Sequence, residues 1–165
     1  MRLATELKQN LIESIVDGEG FRLTMFTQGC IHCCKGCHNP STWNTKAGIE
    51  YSVESISGYI LEKYRKFKSF YSGLTISGGD PLLQKDELER LLKILKTEEP
   101  NLNIWVYTGY ETEDVLNNFR ELIPYVDVFV TGKFIEEKLD YDCKFRGSSN
   151  QEIVRTNLLK EAKWK

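Results

Sequence analysis

Four of the five cysteines fall within eight residues, Cys30-Ile31-His32-Cys33-Cys34-Lys35-Gly36-Cys37, and the fifth, Cys143, stands alone. A disulfide framework spreads an even number of cysteines along a small secreted chain, and bridges inside one short loop would staple nothing distant. In a reducing compartment such bunching points instead to metal binding or thiol chemistry. The fold therefore has to present one cysteine-dense loop where a metal centre can be held and reached.

Composition narrows the setting. The 165 residues suit one domain spanning 1–165, long enough to bury a core without staples. Lys and Arg number 22 against 24 Asp and Glu, which excludes a generally polybasic nucleic-acid binder. A 41% hydrophobic and 12% aromatic content excludes disorder. No apolar run approaches the ~20 residues that span a bilayer, and the first ten residues lack a signal-peptide apolar region. A cytoplasmic protein with neither nucleic acid nor membrane as partner is expected, with a frayed tail over about 159–165.

Strand and helix patterns alternate. Phe21–Thr27 has the period of two of a strand and runs into the cysteine loop, 29–40. Val53, Ile56, Ile60, Tyr64 and Phe67 share a helical face behind Ser52 as N-cap. Leu74–Ser77 is a short strand ending in Gly78-Gly79-Asp80-Pro81, and Leu88, Leu91, Leu92 and Leu95 mark a helix that stops near Pro100. Ile104–Tyr107 and Val126–Val130 are further strands, with a short helix between them capped by Thr112. Repeated strand, glycine-rich loop and helix imply parallel β/α units, too few to close an eight-stranded barrel. The expected fold class is α/β, an open partial (β/α) barrel of parallel strands. Ligands of such folds gather at the carboxyl ends of the strands, so Gln28-Gly29-Cys30, Ser77-Gly78-Gly79, Tyr107-Thr108-Gly109 and Thr131-Gly132 are expected to form one site.

Read as C-x3-C-x2-C, the loop offers Cys30, Cys34 and Cys37 to one face of an iron–sulfur cube, with Gly29 and Gly36 letting backbone approach it. A four-iron cluster with three protein thiolates keeps one iron open to a further ligand, as catalytic zinc sites keep an open position. Zinc is the rival. Cys30-x2-Cys33 and Cys34-x2-Cys37 each have zinc-knuckle spacing, with His32 and His38 near, which would make a zinc-stabilised interaction module. Adjacent cysteines diverge, however, so one of Cys33 and Cys34 is a bystander. Cys143, in a charged segment, reads as an incidental thiol or as a fourth ligand.

A C-x3-C-x2-C loop after a first strand and a Gly-Gly-acid-Pro turn after the second resemble the radical S-adenosylmethionine superfamily. Ile15–Arg22, Gln28-Gly29-Cys30, Cys37-His38-Asn39 and Thr42-Trp43 are similar to activating enzymes of glycyl-radical proteins. Ile104–Tyr110 and Phe145–Gln151 resemble the branch that acts on anaerobic ribonucleoside-triphosphate reductase; the pyruvate formate-lyase activases are the nearest alternative. The resemblance implies a 4Fe-4S cluster on Cys30, Cys34 and Cys37, with S-adenosyl-L-methionine at the open iron. Gly36, Cys37, His38, Gly78, Gly79 and Asp80 would bind that cofactor: the two glycines by backbone at its methionyl end, and His38 or backbone against adenine. Asp80 stands where the superfamily commonly has Glu, so its side-chain contact is less secure. Reductive cleavage would release methionine and a 5′-deoxyadenosyl radical that takes hydrogen from a backbone glycine of the large reductase subunit. No acid–base catalyst is needed, and His32 and His38 read as loop-shaping or adenine-flanking residues. An electron donor such as reduced flavodoxin is implied. The basic stretch Lys63, Arg65, Lys66 and Lys68 is either its docking patch or a solvated helix end. Arg146, Ser148, Ser149 and Asn150 either line the site or close the sheet edge.

Overall fold

Residues 1–157 are described by a computed structural model; the tail expected to fray over 159–165 lies outside them. Four strands carry the frame: β3 (Arg22–Thr27), β5 (Gly73–Gly78), β6 (Ile104–Tyr107) and β7 (Val128–Thr131). They are parallel neighbours in that order. Helices α2 (Val53–Lys66), α3 (Lys85–Glu98) and α4 (Thr112–Asn118) connect them. Because each crossover steps the same way along the sheet, all three helices fall on one face.

Antiparallel pieces complete the sheet. β1 (Arg2–Leu3) and β4 (Ile49–Glu50) extend it beyond β3, β8 (Glu152–Arg155) pairs with β7, and β2 (Ile12–Ser14) also pairs with β3. A four-residue helix, α1 (Leu7–Asn10), links β1 to β2. The order β4-β1-β3-β5-β6-β7-β8 has two ends, so the sheet is open.

Alternation along the strands sorts the two faces. Leu23, Met25, Leu74, Ile76, Ile104, Val106 and Phe129 join Ile56, Ile60, Leu88, Leu91, Leu92 and Leu95 in the main core under the helices. The intervening residues, Arg22, Thr24, Phe26, Thr75, Ser77, Trp105 and Tyr107, occupy the opposite face. That face has only a small apolar cluster, Trp105, Val128 and Val130. One side of the sheet is thus packed and the other is free to carry a site.

The helix starts follow their caps. Ser52 accepts from the Ser55 amide at 3.1 Å, as expected. Thr112 does not cap α4. It lies in the first turn, its hydroxyl 2.7 Å from Thr131 Oγ1 and 2.5 Å from Glu152 Oε2, and Glu111 holds the cap position. Strand β7 starts two residues later than its hydropathy predicts. Asp127 turns its carboxylate to the Ile104 amide (2.7 Å) and to Lys96 (2.8 Å) instead of continuing the strand. The basic stretch at the end of α2 is not an open cationic patch. Arg65 pairs with Glu98 and Glu99, Lys68 pairs with Glu99, and Lys63 donates to the Leu11 carbonyl.

Among the described residues Arg22 is the one Lys or Arg that is buried; it lies on the polar face, 1% exposed. It donates to Thr75 Oγ1 (2.8 Å) and to the carbonyls of Leu74 (2.8 Å), Asn103 (3.0 Å) and Glu19 (3.2 Å), and its guanidinium lies 5.3 Å from the Trp105 ring centre. Burial pulls its pKa down to about 10. Gly18 takes φ +125°, and a Cβ there would lie 3.0 Å from both Arg22 and Trp105, so the Asp17–Gly20 turn is moulded on this arginine. Arg22→Lys, which strands several of these carbonyls, is expected to lower unfolding free energy in urea by about 2–4 kcal/mol. Arg120→Lys at an exposed position should change it by less than about 0.5 kcal/mol; equal effects would deny Arg22 this role.

Candidate metal and cofactor site

The cysteine loop leaves β3 through Gln28 and Gly29 and is closed at its base. Gly29 N donates to the Thr42 carbonyl (2.7 Å) and Cys30 N to that of Trp43 (3.1 Å), while Gln28 Nε2 donates to the carbonyls of Ser41 and Asn44. Within it, Cys37 N donates to the Cys34 carbonyl (3.1 Å), a turn that Gly36 permits with φ +72°.

The turn after β5 lies against this base, backbone to backbone. Gly79 N donates to the Thr27 carbonyl (2.9 Å) and Asp80 N to that of Gly29 (2.7 Å). A Cβ on Gly79 would sit 2.2 Å from the Gly29 oxygen, and one on Gly78 would sit 2.3 Å from the Thr27 nitrogen. The sequence assigns these glycines to cofactor approach; the fold itself already requires them.

Asp80 is fully buried and binds three strand ends together. Its carboxylate accepts from Thr108 Oγ1 (3.0 and 2.9 Å) and Gly109 N (3.0 Å) after β6, and from Leu82 N (3.0 Å) in its own turn. His32 Nε2 of the cysteine loop lies 2.5 Å away. The His32 ring meets Tyr110 edge-on at 4.9 Å, and a Cβ on Gly109 would strike it at 2.4 Å. His32 therefore shapes the loop. The sequence places Thr108 among the strand ends of the expected site, while its bond to Asp80 and the Tyr110 contact with His32 come from the structure.

The thiols differ in setting. Cys30, Cys34 and Cys37 are half-buried, whereas Cys33 is exposed with a left-handed φ of +48°. Burial pushes the Cys30 thiol up, opposed by amide N–H donors from His32 and Cys33. Burial likewise raises Cys34, opposed by the Phe134 amide. Asn39 N donates to Cys37 Sγ at 3.4 Å. Amide donors aimed at sulfur stabilise thiolates and tune iron–sulfur centres. Three half-buried thiols at C-x3-C-x2-C spacing are a donor set that a cube can take. Among the described residues no three Cys, His, Asp or Glu side chains gather as a single ion requires, whereas a cube takes each thiolate at a different iron.

Beside the loop, on the polar face, lies a cleft of about 720 Å³. Phe26, Ser77 and Tyr107 form its floor at the ends of β3, β5 and β6, and His38 and Asn39 bring the cysteine loop to it. Phe134, after β7, adds the next wall, its ring 5.5 Å from that of His38. Phe145, Arg146 and Gly147 form the far wall, with Cys143 beside them. The volume is that of a typical small-molecule site. Tyr107, pushed up by burial, donates from its hydroxyl to the Phe145 carbonyl at 2.9 Å. Lys35 pairs with Glu136 (2.8 Å), tying the outer loop to the segment after β7. Cys143 donates to Asp140 Oδ2 (3.2 Å), which raises its pKa. Of the 146–150 group, Arg146 lines the cleft. Ser148 is buried and receives the Ile135 amide, and Asn150 donates to the Lys133 carbonyl. A second cleft, of about 400 Å³, lies between the amino terminus and Gln84 and meets none of the cysteines. No helix among the described residues is long and apolar enough to cross a membrane.

The sequence resembles known proteins over most of its length. Residues 16–154 match the family described as a 4Fe-4S single cluster domain. The chain is 39% identical over 146 residues to an anaerobic ribonucleoside-triphosphate reductase-activating protein of Haemophilus influenzae, covering 87% of this chain and 94% of that protein. The Vibrio cholerae protein of the same name is 40% identical with the same coverage, and that of Escherichia coli K12 is 33% identical over 141 residues, 84% and 91% of the two chains. A cysteine loop rooted beside a strand-end cleft, in a sequence so similar, belongs to the family of anaerobic ribonucleoside-triphosphate reductase-activating proteins.

Proposed function

We propose that the chain reductively cleaves S-adenosyl-L-methionine at a 4Fe-4S cluster held by Cys30, Cys34 and Cys37, and so generates a glycyl radical on an anaerobic ribonucleoside-triphosphate reductase. The observation that carries this reading is three half-buried thiols in one loop, with an amide donor on Cys37 Sγ, beside a cleft floored by three parallel strand ends. The open α/β sheet is read as a partial barrel of the radical S-adenosylmethionine type, and a reducing cytoplasm suits five free thiols.

When bound, the cluster supplies the electron that breaks a C–S bond of S-adenosylmethionine and leads to hydrogen abstraction from the partner's glycine. The residues of this chain bind and orient. Gly36, Cys37 and His38 would border the adenine end, with Phe134 backing the His38 ring. Gly78 and Gly79 would take the methionyl end by backbone, and Asp80 fixes that backbone by its bonds to Thr108 and Gly109. Phe26, Tyr107 and Phe145 line the cleft with carbon and keep water from the reacting centre. No side chain has to move a proton. The electron comes from an external one-electron donor such as a reduced flavodoxin.

Anaerobic reconstitution tests the reading. About four irons with sulfide per chain, and release of methionine and 5′-deoxyadenosine on reduction, are expected; stoichiometric zinc without cleavage would contradict it. The ligand register is tested by exchange of neighbours. Cys33→Ala should keep the cluster's iron and absorbance, and Cys34→Ala should lose them; the reverse would place the ligand at Cys33. Asp80→Asn, which turns an amide toward the Thr108 and Gly109 donors, should lower unfolding free energy by about 2–4 kcal/mol and reduce iron retention. Unchanged urea midpoint and iron content would show that the strand ends do not depend on it.

A further inference from the structure

The far wall of the cleft is built around a strained residue. Phe145 has φ +60°, a left-handed conformation costly for a bulky side chain, and strain of this kind gathers at functional positions. It is held there by the Tyr107 hydroxyl on its carbonyl and by Trp105, whose ring meets the Phe145 ring edge-on at 5.6 Å. The next residue, Arg146, lines the cleft. Its Nη1 donates to the Gln151 carbonyl (2.8 Å) and its Nη2 faces Cys143 Sγ (3.7 Å). Gln151 Oε1 in turn receives the Gly147 (2.8 Å) and Ser148 (3.2 Å) amides, so the turn bearing the arginine is rigid.

That leaves one donor without a partner. Arg146 Nε is buried and takes no hydrogen bond, and Arg146 makes no ion pair among the described residues. A buried donor of a charged group left unpaired is costly, and an acceptor brought by a partner would relieve that cost. The lips of the same cleft are apolar and uncovered: Ile15 and Val16 are each 70% exposed and Tyr141 is 91% exposed. Exposed apolar groups around a cleft mark a surface that a partner covers. Apolar lips around a donor fixed by its turn suit an extended main chain, which brings carbon and carbonyl acceptors together.

We infer that Arg146 is a specificity-determining residue that donates to a backbone carbonyl of the partner polypeptide, whose glycine-bearing segment enters extended between Ile15–Val16 and Tyr141. The inference rests on the functional reading above and names how that site recognises its protein substrate. The arginine acts as a directional donor. Lysine, a point charge on a flexible stem, does not replace it.

The test uses the reconstituted chain and a fluorescein-labelled peptide spanning the glycine-bearing segment of the reductase, read by anaerobic fluorescence anisotropy. Arg146→Ala and Arg146→Lys should each weaken peptide binding about ten- to a hundred-fold, the range of a hydrogen bond to a charged group. The urea midpoint and peptide-free cleavage of S-adenosylmethionine should fall far less. Tyr141→Ser, at a position too exposed to unfold the chain, should weaken the peptide about five-fold. Three results would overturn the inference: unchanged peptide affinity in the Arg146 variants, full rescue by lysine, or loss of cleavage with peptide binding intact, which would give the arginine to the cofactor. An unmodified chain that binds the peptide but cleaves nothing would remove the functional reading alone.

Discussion

At the carboxyl edge of the sheet a single buried carboxylate gathers donors from three strand ends. Asp80 takes the hydroxyl of Thr108 and the amide of Gly109 after β6, caps its own turn after β5, and meets His32 in the loop that follows β3. In a medium of low dielectric such bonds are strong when complete and costly when broken. The cysteine loop contains no regular helix or strand between Gln28 and Asn39, so its position depends on these bonds and on the amide contacts at its base. Holding Asp80 in place fixes where Cys30 lies relative to Gly78 and Gly79. The spacing between the cysteine loop and the strand-end cleft is thereby set by the fold.

The two faces of the sheet divide the labour. Every second residue of β3, β5, β6 and β7 enters a core of aliphatic side chains under α2, α3 and α4, which supplies cohesion. The alternate residues carry Arg22, Thr75, Ser77 and Tyr107 on the other face, where hydrogen bonds replace apolar packing. Arg22, with carbonyls and an aromatic ring as partners in place of a carboxylate, anchors the Asp17–Gly20 turn at the cleft mouth. A short chain can thus keep a wide cavity open because its stability comes from the opposite side of the sheet.

Much of this is legible in the sequence, for reasons that can be named. The alternation of Phe21–Thr27 gives β3, short apolar runs that end in glycine-bearing turns give β5, β6 and β7, and leucine spacing gives α3. The strand-end clustering follows from parallel β/α order. Strands β1, β2, β4 and β8 are two to four residues long and carry no period, so they emerge only from pairing. Thr112 resembles a cap by type but is drawn off by Thr131 and Glu152, partners distant in sequence. The C-x3-C-x2-C spacing is legible in the sequence, while the exposure of Cys33 is not. The basic run at the end of α2 looks like a patch until Glu98 and Glu99, on another helix, are found against it. In each case the missing information is long-range.

The central claim is that the thiols and cleft together direct radical chemistry onto a glycine of another protein. Its most direct measurement is electron paramagnetic resonance of the anaerobically reconstituted chain mixed with S-adenosylmethionine, a reductant and an anaerobic ribonucleoside-triphosphate reductase. The account predicts a glycyl radical signal that requires all of these components and disappears when Cys34 is replaced by alanine. A reductase that stays free of glycyl radical while the chain, fully loaded with iron, cleaves S-adenosylmethionine would contradict it.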